Sequence, residues 1–337
     1  MLEPIDELNA AASLSRLGPD AMSIDSFYTR SNFEVPDIDL NSWRLIVTGK
    51  VATAMSLSMS DLRSFGEHTD LVTLECAGNG RILMDPIPAG APWGLGAVSV
   101  AEFTGTPLAG VLRAAGFPED VVEFVFTGLD QGKVEPEGEI SYAFSLDAPT
   151  ALSDGPLLVW QMNGEALTAE HGAPLRLLVP GNYGMSSVKW LSSITAVDQP
   201  FSGHFRMKYR YLGDSAASET EPVERMRVRS LVVSPADGDE VGESLGIRGI
   251  AWSGSGRIES VAVRVDDGVW IDAELGEPLG RSAPTPWALR VALQSGHHNI
   301  QTRASDSGGN VQPLESIWNR NGYGNNVAHS VSVHVPG

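Results

Sequence analysis

The first two thirds of the chain mix strand-like and helix-like spacing of hydrophobic positions. The run at 43–51, W-R-L-I-V-T-G-K-V, alternates as a strand does, and 59–65 predicts a short helix capped by Ser58 or Ser60. Apolar residues at helical spacing before a glycine predict a second helix over 105–116. Five further runs predict strands: 121–127, 143–146, 157–162, 175–179 and 188–197. The mixture indicates an α+β first domain.

The two ends of the chain depart from this mixture. Residues 1–26 predict a polar arm with one short helix over 5–17. The polar segment at 214–224 indicates a linker or a surface crossover. Beyond it, short alternating runs without helical periodicity predict seven strands: 228–233, 245–252, 258–265, 271–275, 287–291, 298–305 and 329–335. This pattern is typical of an immunoglobulin-like β-sandwich.

Composition and charge narrow the classes of function. The 337 residues are 42% hydrophobic, which is enough for two ordinary cores. A net charge of −19 argues against nucleic acid or an anionic membrane as partner, and an anionic substrate would need a local basic pocket. No apolar run is long enough to span a membrane. The first 35 residues lack a basic, apolar leader, so a cytoplasmic location is favoured over a trimmed periplasmic form, and the compartment stays open.

Cys76 is the single cysteine of the chain and lies in the segment L-E-C-A-G-N-G-R. A lone thiol cannot form an intramolecular disulfide, so packing, nucleophilic chemistry and metal ligation remain as roles. Gly78 and Gly80 would let the backbone approach a bound group, and Arg81 would favour a thiolate over a thiol. The alternative is a small buried hydrophobic residue at a strand end.

Several motifs in a fixed order carry a family resemblance. In the first domain they are F-Y-T-R-S-N-F-E-V-P (27–36), L-E-C-A-G-N-G-R (74–81), W-G-L-G-A-V-S (93–99), F-T-G-L-D (126–130), M-N-G-E-A-L (162–167), H-G-A-P-L-R-L-L-V-P-G (171–181) and S-V-K-W-L (187–191). In the second they are A-W-S-G (251–254), V-D-D-G-V-W (265–270), G-N-V-Q-P (309–313) and W-N-R-N-G-Y (318–323). Together they resemble the catalytic core of the sulfite oxidase family of molybdenum enzymes.

The resemblance implies a domain order and a cofactor. After an N-terminal arm, 1–26, it implies a mixed α/β molybdopterin-binding catalytic domain of sulfite oxidase fold over 27–215. An immunoglobulin-like dimerisation domain would follow over 222–337 and make the protein a homodimer. The cofactor would be molybdenum bound to molybdopterin, with Cys76 as the thiolate ligand that the protein supplies.

The resemblance also carries over a set of binding residues. Cofactor contacts would come from Tyr28, Thr29, Arg30, Ser31, Asn32, Asp130, His171, Arg176, Ser187, Val188 and Lys189. Arg30 would also reach the substrate pocket, and arginine and lysine suit phosphate. Taken one at a time, these residues have structural alternatives, such as arginine and lysine side chains that extend from strand ends, or a turn cap for Asp130.

A pocket tyrosine and three departures complete the predicted site. Tyr209 and Tyr211 both lie where the family keeps a tyrosine near the metal, and Tyr211 is favoured because L-G follows it. Sulfite-oxidising members usually have histidine at Asn32, an arginine–histidine pair at 186–187 and an arginine in the segment that holds Asn321. Arg320 is adjacent, but a shift of one residue would point its side chain to the other side. Fewer guanidinium donors would weaken the binding of a compact dianion. The cofactor is therefore better specified than the substrate.

These observations lead to one principal function and two alternatives. The resemblance implies oxygen-atom transfer, with sulfite oxidised to sulfate and electrons passed to an external acceptor such as a cytochrome, since no C-x-x-C-H haem motif occurs. One alternative is a relative that acts on another sulfur compound or reduces a sulfoxide. The other is a non-catalytic scaffold that uses the sandwich domain, although retained polar residues of little packing value argue against it.

Overall fold

The computed structural model describes residues 2–213 and 221–337. The strands up to residue 213 are β1 (Glu3–Asp6), β2 (Asn9–Ala11), β3 (Leu45–Gly49), β4 (Met55–Leu57), β5 (His68–Glu75), β6 (Val98–Pro107), β7 (Glu123–Val134), β8 (Gly138–Asp147), β9 (Leu157–Met162), β10 (Glu165–Ala166), β11 (Arg176–Leu178), β12 (Leu191–Val197) and β13 (Arg210–Tyr211). The α-helices are α1 (Met59–Arg63), α2 (Leu108–Ala115), α3 (Ala148–Ala151) and α4 (His204–Lys208). Short 3-10 turns occupy Leu14–Arg16, Ile24–Ser26, Arg81–Leu83 and Gly184–Ser186.

Two five-stranded sheets build the first domain. One has the order β10-β9-β6-β5 with β11 paired to β9, and the other has the order β4-β3-β12-β7-β8. Phe103, Phe126, Leu158 and Ile194, from both sheets, are fully buried in one apolar cluster. The strand-rich mixture with short helices confirms the predicted α+β class.

The two helices predicted in the first domain are present, and their ends agree with the prediction where a neighbouring residue caps them. Ser58 caps α1, since its Oγ accepts from the Asp61 amide at 3.2 Å while the Asp61 carboxylate accepts from the Ser58 amide at 2.8 Å. Gly116 ends α2 with a φ of 63°. The predicted start at 105 is wrong, because 105–107 belong to β6 and pair with β9.

The helix predicted over 5–17 is also wrong. The Asp6 carboxylate accepts from the Leu8 amide at 2.9 Å, which forms a tight turn, and β1 and β2 pair on either side of it. The arm packs on the first domain, because the Ala12 amide donates to the Gly96 carbonyl and the Met22 amide to the Val100 carbonyl, both at 2.8 Å. Main-chain pairing therefore replaces helical hydrogen bonds in this segment.

The second domain is a sandwich of two sheets. Its strands are β14 (Glu221–Pro222), β15 (Arg229–Ser234), β16 (Asp239–Glu240), β17 (Ser244–Trp252), β18 (Ile258–Val265), β19 (Ile271–Asp272), β20 (Glu274–Leu275), β21 (Thr285–Ala292), β22 (Gly296–Asp306) and β23 (His329–Val335). The sheet orders are β15-β17-β21-β20 and β16-β23-β22-β18-β19, with Ile247, Val261 and Ile300 buried between them. The strand predicted at 271–275 splits, since β19 pairs with β18 and β20 with β21.

The predicted linker at 214–224 lies mainly outside the described residues, and its end forms β14, which pairs with β13. The two domains nevertheless share a core. Met226, Leu231 and Trp252 of the second domain belong to the apolar cluster of the first. Within the described ranges, no helix is both long and apolar enough to traverse a bilayer.

Candidate functional site

Cys76 lies directly after the last residue of β5, in a turn held by main-chain hydrogen bonds. Its amide donates to the Ala97 carbonyl at 2.9 Å, and the Gly78 amide approaches its Sγ at 3.4 Å. The turn then enters the 3-10 turn Arg81–Leu83 through Gly80, whose φ of 79° suits glycine. Burial raises the pKa of the Cys76 thiol, while Arg30 and the Gly78 amide oppose that rise.

A pocket opens on this thiol. The structure brings twelve predicted site residues to its wall: Tyr28, Thr29, Arg30, Ser31, Asn32, Cys76, Asp130, His171, Arg176, Ser187, Lys189 and Tyr209. They come from segments far apart in the sequence, which the two sheets bring together. Phe27, Leu74, Ala77, Tyr142, Glu170, Gly184, Met185 and Trp190 also line the pocket and were not predicted.

Two cations, the buried Arg176 and the half-buried Lys189, lie on one side of the pocket. Arg176 donates from Nη1 to the His171 carbonyl at 3.0 Å, and Lys189 donates from Nζ to the Ser31 hydroxyl at 2.7 Å. Burial lowers the pKa of Arg176 to about 10 and, together with Arg176, that of Lys189 to about 7. Burial and the same cations lower the pKa of His171 to about 4, so this imidazole is neutral at pH 7.

The unpaired polar atoms of this wall fit an anionic, polar ligand. Within the described ranges, Arg176 Nε and Asp130 Oδ1 are buried without a hydrogen-bond partner. Such groups are costly to leave unsatisfied, so a ligand that bonds them would offset that cost. A phosphate suits the arginine and lysine, and a pterin ring offers donors and acceptors to Asp130 and to the backbone. The residues present therefore fit the molybdopterin cofactor, with the Cys76 sulfur available to its metal.

Val188 is in a different situation from its neighbours. Its side chain is buried and does not line the pocket. Its carbonyl accepts from the Leu177 amide at 2.8 Å, which ties the segment before β12 to β11. Any contribution of Val188 to the pocket is therefore through the main chain.

The structure corrects the preferred tyrosine. Tyr209, at the end of α4, lines the pocket, whereas the Tyr211 ring lies under the Arg227 guanidinium at 4.4 Å, outside the pocket wall. The L-G that follows Tyr211 in the sequence did not distinguish it from Tyr209, two residues earlier. Tyr323, from the second domain, was missed; its ring centroid lies 5.3 Å from that of Tyr209.

Two of the residues that depart from the family pattern have internal partners. Asn32 accepts from Arg30 Nη2 at 2.9 Å and orients that guanidinium. Asn321 donates to the Lys208 and Arg210 carbonyls at 3.4 and 3.3 Å, so its amide group is engaged by the main chain. Lys208 at the end of α4 is exposed and does not line this pocket, and partial desolvation and the Arg30 charge lower its pKa.

Comparisons with known proteins agree with this geometry. Residues 32–205 match the oxidoreductase molybdopterin binding domain, and residues 220–336 match the Mo-co oxidoreductase dimerisation domain. Human mitochondrial sulfite oxidase is 35% identical over 92% of this chain and 61% of its own length, so this chain spans about three fifths of that relative. Arabidopsis thaliana sulfite oxidase is 33% identical over 93% of this chain and 88% of its own length. The crystal structure of the sulfane dehydrogenase SoxCD from Paracoccus pantotrophus superposes with a TM-score of 0.84 at 27% identity, covering 97% of this chain and 84% of that one.

The fold and the pocket thus define a molybdopterin-binding oxidoreductase with a dimerisation domain. Among such proteins, the chain belongs to the sulfite oxidase family.

Proposed function

We propose that this protein oxidises sulfite to sulfate by molybdenum-dependent oxygen-atom transfer and passes the electrons to an external acceptor such as cytochrome c. The observation that carries the proposal is the convergence of the single cysteine with the half-buried Arg30 and Lys189 and the buried Arg176 in one pocket of a strongly acidic chain. Those cations provide the local basic environment that an anionic cofactor and an anionic substrate both require.

The residues divide into two groups by position. Cys76 would bind the metal, while Arg176, Lys189, Asp130 and Ser31 would hold the pterin and its phosphate. When bound, the cofactor supplies the redox chemistry, in which sulfite and water give sulfate, two protons and two electrons. The protein's own contribution is to orient these partners and to shield them from bulk solvent.

Arg30 is the residue best placed to bind substrate. It lines the same pocket as Cys76 and Tyr209, and its orientation is fixed by Asn32. A guanidinium and a phenol together offer the donors that a compact oxyanion accepts.

Sulfite turnover against an artificial acceptor tests the proposal directly. We expect molybdenum-replete protein to reduce the acceptor when sulfite is added and to contain about one molybdenum per chain, as one cysteine in one pocket implies. Methionine sulfoxide with a reduced dye is the reverse-direction comparison. Sulfoxide reduction without sulfite turnover would instead support a reductase, and protein free of molybdenum after expression in a cofactor-competent host would support the scaffold.

A second function, on another sulfur compound or a sulfoxide, has an observation in its favour. The family pattern has an arginine in the segment where this chain has Arg320 and Asn321, and the Asn321 amide is turned to main-chain carbonyls. A one-residue shift of that arginine would leave fewer guanidinium donors for a dianion. The likeness to a sulfane dehydrogenase structure is in keeping with this alternative.

The partners of the enzyme follow from the second domain and from the reaction. We propose a homodimer, supported by the match of residues 220–336 to a dimerisation domain. The external acceptor is supported by the reaction itself, which releases two electrons per turnover.

Tyr209→Phe and Tyr211→Phe form a matched pair that tests the pocket tyrosine. We expect Tyr209→Phe to lower kcat/KM for sulfite roughly tenfold, because a hydrogen bond to bound oxyanion contributes about 1.5 kcal/mol or more. Tyr211→Phe is expected to stay within about twofold of the wild type, since Tyr211 lies outside the pocket. Steady-state kinetics at fixed pH measures both. A larger loss in Tyr211→Phe would restore that residue as the pocket tyrosine.

A further inference from the structure

The side chain just before Cys76 is held by the second domain. Glu75 is fully buried, and its Oε1 lies 3.0 Å from Arg229 Nε while its Oε2 accepts from Trp252 Nε1 at 2.9 Å. Arg229 begins β15 and Trp252 ends β17, and the two residues pair across that sheet. The second domain therefore contacts Glu75, the last residue of β5, through one charge pair with Arg229 and one hydrogen bond from the Trp252 indole.

Further hydrogen bonds connect Glu75 and Arg229 to the turn that carries Cys76. Asn79 donates from Nδ2 to Glu75 Oε1 at 2.9 Å, and its amide donates to the Cys76 carbonyl at 3.0 Å. Arg229 Nη2 reaches the Asn79 carbonyl at 3.4 Å. Each bond is buried, so the hydrogen bonds fix the direction in which the main chain leaves β5.

A loop of the second domain holds the same turn from another side. The Gly324 amide donates to the Ala77 carbonyl at 2.7 Å, and Asn325 Nδ2 donates to the Gly80 carbonyl at 2.7 Å. The carbonyls of Ala77 and Gly80 are thus satisfied by the second domain. Without that domain, the turn would keep its bonds to Ala97 but lose these partners.

We propose that Trp252 and Arg229 are positioning residues for the Cys76 sulfur, and that the dimerisation domain is a working part of the metal site. The inference rests on the proposed role of Cys76 as metal ligand. A buried charge pair is weak evidence for stability, because burial of two charges costs about as much as their attraction returns. The Glu75–Arg229 pair lies against the turn that carries Cys76, so its role is to hold the sulfur in one direction rather than to stabilise the fold.

Trp252→Phe is the sharpest test, because Trp287 provides a matched control. Both tryptophans are 3% exposed and lie on adjacent strands, but Trp287 Nε1 is without a hydrogen-bond partner in the described part of the chain. The two changes remove similar volume, and only Trp252→Phe removes a bond to Glu75. A difference between them therefore reports positioning rather than loss of core packing.

In the loaded enzyme, we expect Trp252→Phe to shift the sulfur-to-molybdenum charge-transfer absorption and to lower kcat about tenfold with KM nearly unchanged, since misplaced reacting groups slow the chemical step. Trp287→Phe should keep the wild-type spectrum and kcat, even where its melting temperature falls as far. Arg229→Lys, which keeps the charge but changes the contacts with Glu75 and Asn79, should move the spectrum in the same direction. Indistinguishable spectra and kcat in the two tryptophan variants would overturn the proposal.

Cofactor-free protein gives a readout that does not depend on the proposed function. Cys76 is the single thiol, so its alkylation rate at a fixed pH reports the turn alone. We expect Trp252→Phe to react about tenfold faster than wild type or Trp287→Phe, because losing a hydrogen bond to a charged group changes an opening equilibrium by about that factor. Equal rates would contradict the proposal, whereas a failure of sulfite turnover in wild-type protein would leave this result unaffected.

Discussion

Cys76→Ser is expected to give a folded protein whose turnover of sulfite falls by more than roughly 100-fold. Loss of a residue that only hydrogen-bonds a metal ligand costs up to about that factor, and loss of the ligand itself should cost more. A serine hydroxyl is a hard donor that stays protonated at neutral pH, whereas a thiolate is a soft, anionic ligand. The cofactor contacts of Arg176, Lys189 and Asp130 remain, so pterin content should change little. Turnover per bound molybdenum is the measurement.

The control for Cys76→Ser is a measurement that its fold is unchanged. Serine is close to cysteine in volume and its hydroxyl can still accept from the Gly78 amide, and the other hydrogen bonds of the turn do not involve the thiol. The far-UV spectrum and the melting temperature of cofactor-free Cys76→Ser should therefore match the wild type closely. Turnover within tenfold of the wild type, at equal molybdenum content, would remove Cys76 from the metal site.

Local sequence signals predicted those elements whose hydrogen bonds are local. The capping pair Ser58 and Asp61 fixes α1, and alternation fixes the strands of the sandwich, because one face of each strand is buried. The predictions that were wrong depend on pairing between distant segments. Residues 105–107 join β6 because β9 pairs with them, and 271–275 divides because its two halves pair with different strands.

The same distinction applies to the pocket. The structure places Arg30, Asp130, Arg176 and Lys189, which the family motifs singled out, in one pocket, and their contacts with a cofactor stay a prediction. Tyr211 was preferred on a short local pattern, and its side chain is instead directed to Arg227. Tyr142, which also lines the pocket, has no sequence motif that marks it. Its ring packs against Phe205 of α4 at 4.4 Å between centroids, and its hydroxyl donates to the Met185 carbonyl at 2.7 Å, which are contacts between distant segments.

The contribution of the second domain could not be predicted from either domain's pattern alone. Glu75 reads as the polar end of a strand and Trp252 as sandwich core. Their 2.9 Å contact depends on how the domains meet, which hydrophobic periodicity does not specify. The shared apolar cluster that includes Leu231 and Trp252 explains why this contact is buried. A site motif in one domain can thus depend on residues whose own pattern indicates packing only.

Arg176→Met is expected to weaken cofactor binding by roughly 30-fold or more, because truncating one partner of a buried charge pair costs about 2–5 kcal/mol. With its pKa lowered by burial to about 10, Arg176 is still charged at pH 7 to 8, where the cofactor phosphate is anionic. Its unpaired Nε is a donor that the ligand would satisfy. Because ligand binding stabilises the folded state, the melting-temperature difference between loaded and cofactor-free protein should shrink in this variant.

Arg206→Met is the matched control for this change. Arg206 is also largely buried and pairs with Glu224 at 2.8 Å, but it does not line the pocket. We expect it to lower the melting temperatures of loaded and cofactor-free protein together, leaving their difference at the wild-type value. If Arg206→Met and Arg176→Met lost cofactor equally, general destabilisation would explain both, and Arg176 would have no special part in holding the phosphate. If only Arg176→Met loses the cofactor, the Arg176 guanidinium binds the cofactor directly. The free-energy cost of burying that charge is then offset by its interaction with the bound cofactor.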